Sequence, residues 1–340
     1  MDSLVAGAEE VLIDTLNFSL PKTAGYITER KFCAFQTEGS NAYSAVSGTK
    51  IIRFRLASEG WLDPSTVRFF FDVVNTDGTP GTKKLRPIGK CHAFFRRFRA
   101  LVRGVVVEDI FDYNRVSEMF HILQSKEATA NDQSEGFNLA ADIMDIAKYS
   151  NIERVAAMPA IGATSLTVCF KPLSGLFLQK KYINLKYCPI ELEFELCSDA
   201  TEPIISVFGS AFTDATTSTS WRIENCMIKA DVVQIDNSLQ NKHEEHLLSG
   251  SGLKIPYLTF ISNFQTITAA KTQINVSRSV SKLKAVYLTL DRALTGTRLA
   301  TWYNKPWNNF YNPQGGENGN AIPVYNSAND IFKFTISSRF

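Results

Sequence analysis

The sequence is poor in histidine, the side chain that enzymes use most often as a general base. Only four histidines occur among 340 residues, and no nucleophile motif of the G-x-S-x-G type is present. His243 and His246 stand at i and i+3, whereas a zinc protease needs H-E-x-x-H with its histidines at i and i+4. We therefore predict no catalytic residue, no metal site and no cofactor.

Long apolar runs are also missing, since no stretch approaches the ~20 apolar residues that a membrane-spanning helix needs. The N-terminal segment MDSLVAGAEEVLIDTL is acidic and lacks the basic start of a secretory signal peptide. The six cysteines form no C-x-x-C pair and fit no zinc spacing. We expect free thiols, synthesis in a reducing compartment such as the cytoplasm or nucleus, and no secretion.

Neither sign of charge dominates, because 36 Lys and Arg oppose 34 Asp and Glu for a net charge of +2. This balance excludes a strongly basic nucleic-acid binder as a description of the whole chain. Residues 83–103 nevertheless form a basic cluster, in which Arg96, Arg97 and Arg99 are interleaved with phenylalanines. Such a cluster could bind phosphates while its rings stack on bases. We favour the alternative, in which the rings are buried and the arginines meet carboxylates of the same or a neighbouring subunit, such as Glu108, Asp109 or Asp112.

Apolar side chains recur with a period of two in many short segments, which predicts β-strands that bury one face. The clearest segments are 52–56, 67–73, 166–170, 190–196, 221–235 and 332–336. Helical spacing is confined to the connections, at 113–124, 137–146 and 237–249, the last of these ended by Gly250. A shift of the alternation near Asn225 predicts a bulge. The chain is therefore predicted to be mainly β and antiparallel.

One predicted strand carries three carboxylates on one face, at Glu191, Glu193 and Glu195. Paired carboxylates can hydrolyse a glycosidic bond when they lie about 5–9.5 Å apart. A regular alternation of glutamate with buried Leu and Phe is more typical of a solvated or interface-facing sheet edge. We favour the edge interpretation and predict an interface role for these three residues.

Turn residues at Ser198–Pro203 interrupt the strand pattern, and we place a domain boundary there. Residues 1–24 then form an N-terminal arm with a short amphipathic helix, 25–200 a first β-sandwich and 201–340 a second. Further alternation at 257–267, 272–278 and 282–290 predicts strands of the second sandwich.

The loop at 303–330 is rich in Asn, Gly and Pro, and aromatic residues gather at its start. Trp302 and Trp307 could form a platform that binds carbohydrate or a cell-surface receptor, as in a tandem sandwich without catalysis. We favour the alternative that these rings fix the loop to its own sandwich.

Several segments in their order along the chain resemble the major capsid proteins of polinton-like viruses and related double-stranded DNA viruses. They include WLDPSTVRFFFDVVN (61–75), LRPIG (85–89), FFRRFR (94–99), GVVVEDIFDYNRVSEMFHIL (104–123), SLTVCFKPLSGLF (165–177), KYINLKYCPIELEFEL (181–196) and IKADVVQIDNSLQNKHEEHLLSG (228–250). The similarity runs over most of 25–340.

This resemblance implies a tandem (double) jelly roll, with short helices in the connecting loops. It also implies homotrimeric, pseudo-hexameric capsomers that tile an icosahedral virion shell. The implied partners are the chain's own copies, a penton or minor capsid protein, and an internal membrane or cement protein, with no sequence-specific nucleic acid. Members of this family continue past the position matched by IFKFTISSRF (331–340), so we expect either a fragment or an endogenised gene copy, or a second jelly roll that is abbreviated at its C-terminus.

Overall fold

The computed structural model describes residues 26–46, 48–87, 90–122, 125, 135, 160–200, 202–204, 215–250, 252–263, 265 and 282–287. Eleven strands lie in these ranges: β1 (Ile27–Gln36), β2 (Ala42–Tyr43), β3 (Ile51–Leu56), β4 (Trp61–Leu62), β5 (Arg68–Asn75), β6 (Phe95–Val102), β7 (Val105–Phe111), β8 (Leu166–Phe170), β9 (Ile183–Asn184), β10 (Ile190–Leu196) and β11 (Trp221–Ile235). The helices are α1 (Tyr113–Ile122), α2 (Gly175–Leu178) and α3 (Asn237–Leu248), with 3-10 turns at Pro64–Thr66 and Cys91–Phe94. The prediction of a mainly β chain with short helices is confirmed.

The strands form two antiparallel sheets. One has seven strands in the order β8-β5-β11-β4-β9, with β1 and β2 also paired to β11, and the other has four in the order β3-β10-β6-β7. The main strands thus give the layers β1-β11-β5-β8 and β3-β10-β6-β7, in which the first and last of the described strands are neighbours. This is the strand order of one jelly roll, a sandwich of eight strands built from two Greek keys.

The alternation in the sequence places one side of most of the long strands in a single core. β10 buries Ile190, Leu192, Phe194 and Leu196, while β3 buries Ile52, Phe54 and Leu56. Phenylalanines join the two sheets: the ring of Phe194 lies 4.6 Å from that of Phe69 and 5.0 Å from that of Phe98, between ring centroids. The core is therefore shared between the sheets rather than split along the chain.

The predicted boundary at Ser198–Pro203 does not end this sandwich. β11 lies beyond it and pairs with β5 from Trp221↔Asn75 to Lys229↔Arg68. The indole Nε1 of Trp221 also donates a hydrogen bond of 2.7 Å to the carbonyl oxygen of Ala200. The turn residues at 198–203 therefore mark a connection between β10 and β11 of the same jelly roll. Whether a second sandwich follows remains a prediction, since most residues after 263 lie outside the described ranges, as do the predicted helices at 2–16 and 137–146.

The bulge predicted near Asn225 is confirmed. The register between β11 and β5 shifts between Glu224 and Met227, and Asn225 has a φ of 52°. Asparagine tolerates this left-handed region better than most residues with a side chain. Its amide nitrogen donates to Asp72 Oδ2 at 2.8 Å, which fixes the bulge to the neighbouring strand.

Contacts divide the chain into two units, one of residues 1–31 with 233–254 and the other of 32–232 with 255–340. In the first, α3 is capped by Asp236, whose carboxylate accepts from the backbone N–H of Ser238 at 3.0 Å. The helix ends at Leu248, and Gly250 follows its C-cap, as predicted, with a φ of 81° that glycine adopts without strain. The second unit contains most of the sandwich and the whole of the four-stranded sheet.

Candidate functional site

The outward face of the four-stranded sheet carries a regular pattern of charge, which we call the charged face. It has four arginines and four acids: Arg53 and Arg55 on β3, Glu191, Glu193 and Glu195 on β10, Arg97 and Arg99 on β6, and Asp109 on β7. The residues that alternate with these charged residues along each strand face the core, because side chains alternate between the two faces of a strand. The charged face is therefore electrically neutral as a whole.

Strand register aligns these charges in a row across the sheet. Glu193 lies opposite Arg53 on one side and opposite Arg99 on the other, and Arg99 in turn lies opposite Asp109. The Nε of Arg53 is 2.8 Å from Glu193 Oε1, and Arg99 Nη2 forms an ion pair with Glu193 Oε2. The central carboxylate is thus neutralised by both neighbouring strands.

A second pair runs diagonally on the same face. The guanidinium of Arg97 donates two hydrogen bonds of 2.8 Å to the two carboxylate oxygens of Asp109. It also lies over the ring of Phe111, 4.0 Å from the ring centroid. The bond to Asp109 raises the pKa of Arg97 above its usual value, and the charges of Glu195 and Glu193 act in the same direction. Arg97 therefore remains charged and fixed in position.

Three charged side chains of this face have no ion pair within the described residues: the half-buried Glu195 and the exposed Arg55 and Glu191. Arg55 and Glu191 lie opposite each other in register, and both are exposed. No salt bridge of 4.0 Å or less joins either of them to a described residue, unlike Arg53, Arg97 and Arg99. They are the side chains of the charged face with the most freedom to meet another molecule.

Arg96 stands apart from the others because a register shift at Glu195/Leu196 turns it away from them. Its Nη1 donates to Ser198 Oγ at 2.9 Å, and its Nε lies 4.0 Å from Asp112 Oδ1. The side chain is 48% exposed. The structure thus places Arg96 at the end of the sandwich and not on the charged face.

The interpretation of Glu191, Glu193 and Glu195 as a sheet edge is wrong. β10 lies between β3 and β6, with ladders on both sides. Arginine-bearing strands flank it, and ion pairs to both of them compensate the Glu193 carboxylate. The arginines of β3 recur with a period of two and are opposite in charge to the glutamates of β10. This pattern was the sequence signal for the pairing of β3 with β10, but it does not specify which residues lie opposite each other.

The basic cluster at 83–103 does not form one surface. Phe94, Phe95 and Phe98 are fully buried, so their rings cannot stack on bases. The Nζ of Lys90 lies 3.3 Å from Glu135 Oε2 in a buried setting, and burial lowers the pKa of Arg86. Arg97 and Arg99 meet acids of neighbouring strands, as the favoured alternative predicted. Trp302 and Trp307 lie outside the described residues.

Groups that could hold a metal were sought among the described residues, and no cluster of three His, Cys, Asp or Glu side chains is found there. Within the same ranges, no helix is long and apolar enough to cross a membrane. All six cysteines are free, with Cys91, Cys197 and Cys226 buried. Burial raises the pKa of these three thiols.

A buried acid lies behind the charged face, on the core side of β7. Glu108 is 2% exposed, and its carboxylate accepts from the backbone N–H of Gly175 at 2.8 Å, from Ser174 Oγ, and from Thr259 Oγ1 at 3.1 Å. Burial raises the pKa of Glu108 above its usual value, although the bonds from Ser174, Gly175 and Thr259 oppose the shift. The neighbouring ionisable groups that feel its charge are Tyr113 and Tyr257.

The raised pKa predicts how stability depends on pH. The folded chain holds the Glu108 proton more tightly than the unfolded chain, so protonation of Glu108 stabilises the fold. This stabilisation is fully present below the pKa of Glu108 in the unfolded chain, about 4.3, and is lost as the pH rises through its pKa in the folded chain. We expect Glu108→Gln to flatten the decline of the unfolding free energy above about pH 4.3, measured by denaturant titration at several pH values. Glu59→Gln, at an exposed position, is the control. An equal pH dependence in the native chain and Glu108→Gln would contradict this assignment.

Comparisons with known proteins give structural matches only: no family model and no curated protein matches the sequence. The chain is similar to the capsid of PBCV-1 virus, with 12% identity, a TM-score of 0.36, and coverage of 66% of this chain and 47% of that one. The Faustovirus major capsid protein matches with 7% identity and a TM-score of 0.34, covering 69% of this chain and 60% of that one. The mavirus major capsid protein matches with 9% identity and a TM-score of 0.34, covering 65% of this chain and 50% of that one. The chain thus spans about half the length of the capsid proteins it matches.

Proposed function

We propose that this chain is a structural protein, a major capsid protein whose copies form homotrimeric, pseudo-hexameric capsomers of an icosahedral DNA virus shell. The observation that carries the proposal is the jelly roll completed between Ile27 and Ile235, with the helix α3 and further chain after it. The sequence resemblance to the capsid proteins of polinton-like viruses supports it. In this proposal the second jelly roll follows α3, and the boundary moves from 200 to the end of β11.

The proposed partners are the chain's own copies, a penton or minor capsid protein, and an internal membrane or cement protein, within a virion capsid. The electrically neutral charged face supports contact with another protein surface. Equal numbers of both signs give little net attraction to a nucleic-acid backbone, which favours an excess of positive charge. They do fit a protein surface that also carries both signs.

We propose that the charged face is one of the contacts between copies, with Arg55 and Glu191 as its free charges. Each such contact can be weak, since a closed shell repeats it many times. The arginines and acids at the centre of the face, including Glu193 and Arg99, then keep it flat and ordered. Arg55 and Glu191 recognise the neighbouring copy.

A charge exchange tests this contact. The double variant Arg55→Glu with Glu191→Arg keeps the face neutral and the two residues opposite in sign, so the stability of one copy should change by less than about 0.5 kcal/mol. The pattern met by a neighbouring copy is inverted, and self-association should weaken at least about tenfold. Sedimentation velocity over a range of concentrations measures it.

The control is the same exchange at an exposed pair on another strand. On β1, the Nζ of Lys31 lies 2.8 Å from the Oε2 of Glu29, and both side chains are about half exposed. Glu29→Lys with Lys31→Glu should leave association as it is. If both exchanges weaken association alike, or neither does, the charged face is not a contact between copies.

A further inference from the structure

β7 is the last strand of the four-stranded sheet, and on one side it has no partner strand among the described residues. Such an edge presents backbone N–H and C=O groups that can pair with another chain. The register with β6 shifts between Ala100 and Leu101, which leaves Val107 as an extra residue on β7. A bulge of this kind disturbs the ladder and is one way in which proteins protect an edge.

The segment 257–263 lies along this edge but is not a strand, contrary to the strand predicted for 257–267. Its side chains replace the expected ladder. The hydroxyl of Tyr257 donates a hydrogen bond of 2.6 Å to the carbonyl oxygen of the bulged Val107. The hydroxyl of Ser262 donates to the carbonyl oxygen of Phe111. Two hydroxyl groups of the segment thus bind backbone acceptors of β7.

The segment is anchored between these two bonds. Thr259 Oγ1 donates to Glu108, the same carboxylate that accepts from Gly175 at the start of α2. The backbone of Leu258 passes so close to Gly175 that a Cβ added there would lie 1.4 Å from the carbonyl oxygen of Leu258. Further along, the ring of Phe260 packs 4.8 Å from that of Phe120. The approach requires glycine at 175 and fixes the segment on β7.

We infer that residues 255–262 form a strap that guards the β7 edge against pairing with a second copy of this chain. The strap uses hydroxyl groups instead of a backbone ladder, so it occupies edge acceptors without offering a new strand edge of its own. It also fastens the start of the remaining chain to the sandwich. This role is independent of the charged face and of the proposed shell.

Removing the two hydroxyls from the full-length chain tests the strap. In Tyr257→Phe with Ser262→Ala, β7 amides should exchange with deuterium on the order of tenfold faster, while β10 amides keep their protection. Gly175→Ala, which displaces Leu258, should have the same local effect. Controls are Tyr187→Phe, and Gly78→Ala at a glycine whose Cβ position is open. Unchanged exchange in β7, or an equal increase in β10, would overturn the inference.

A rescue variant tests whether the strap prevents a second copy of the chain from pairing with the β7 edge. The strap variant should form concentration-dependent assemblies larger than those of the native chain, measured by light scattering. Val106 lies on β7 and is 46% exposed. Adding Val106→Lys places a charge on the edge and should suppress these assemblies without restoring amide protection. Assemblies that persist with Val106→Lys, or that fail to form in the strap variant, would contradict edge pairing.

Discussion

A chain ending at residue 200 is expected to have no cooperative unfolding transition, whereas a chain ending at residue 263 should keep one. The shorter chain lacks β11, which pairs with β1, β2, β4 and β5 in the larger sheet. β11 also supplies core side chains, namely Trp221, Ile223, Ile228, Ala230 and Val232. At roughly 1.5–3 kcal/mol for each large apolar side chain, their loss is comparable to the ~5–15 kcal/mol by which a domain is stable.

Guanidinium chloride titration followed by near-ultraviolet circular dichroism distinguishes the two chains. The longer chain retains β11, α3 and the strap, and it serves as the matched control. Cooperative unfolding of the 1–200 chain would mean that the first sandwich is complete without β11. The topology given above would then be wrong.

Replacing Phe194 by alanine should cost about 3–5 kcal/mol of unfolding free energy. Its ring is fully buried and lies within 5.5 Å of the rings of Phe69, Phe95 and Phe98, measured between centroids. Since these rings come from both sheets, the cavity would open at the junction of the sandwich. Denaturant titration measures the loss, and a value below about 1 kcal/mol would contradict a shared core.

Phe32→Ala provides the comparison for Phe194→Ala. Phe32 belongs to β1 and is 67% exposed, so removing its ring takes little from the core. The change should stay within about 0.5 kcal/mol of the native chain. The difference between these two phenylalanine variants separates burial from residue type.

The period of two in the apolar residues predicted the sandwich, because a strand that buries one face must carry apolar residues at every second position. Ile52, Phe54 and Leu56 are buried as their alternation indicated, and Ile190–Leu196 follow the same rule. The helices at 113–122 and 237–248 were predicted for a similar reason, since each lies between strands and carries helical spacing or a terminal glycine. Local pattern therefore identified most of the described elements.

Long-range pairing was not accessible in the same way. The turn at Ser198–Pro203 was interpreted as a domain boundary, but a turn residue does not indicate which sheet the next strand joins. The interpretation of Glu193 as part of a sheet edge overlooked Arg53, which is 140 residues away and meets it only through the β3–β10 register.

The anchor of the strap was missed for the same reason. Glu108 accepts hydrogen bonds from Gly175 and Thr259, which are 67 and 151 residues away in the sequence, and no local sequence pattern predicts these bonds. Glycine at 175 reads as a turn residue in the sequence. Only the approach of the Leu258 carbonyl explains why a larger residue would not fit there.

Negative-stain electron microscopy of the purified full-length chain tests the central proposal most directly. If the chain builds capsomers, class averages should show three-fold particles with a hexagonal outline, and sedimentation of the same sample should give the mass of three copies. Particles of a single copy at every concentration, or assemblies of two-fold symmetry, would contradict a capsid role for this jelly roll.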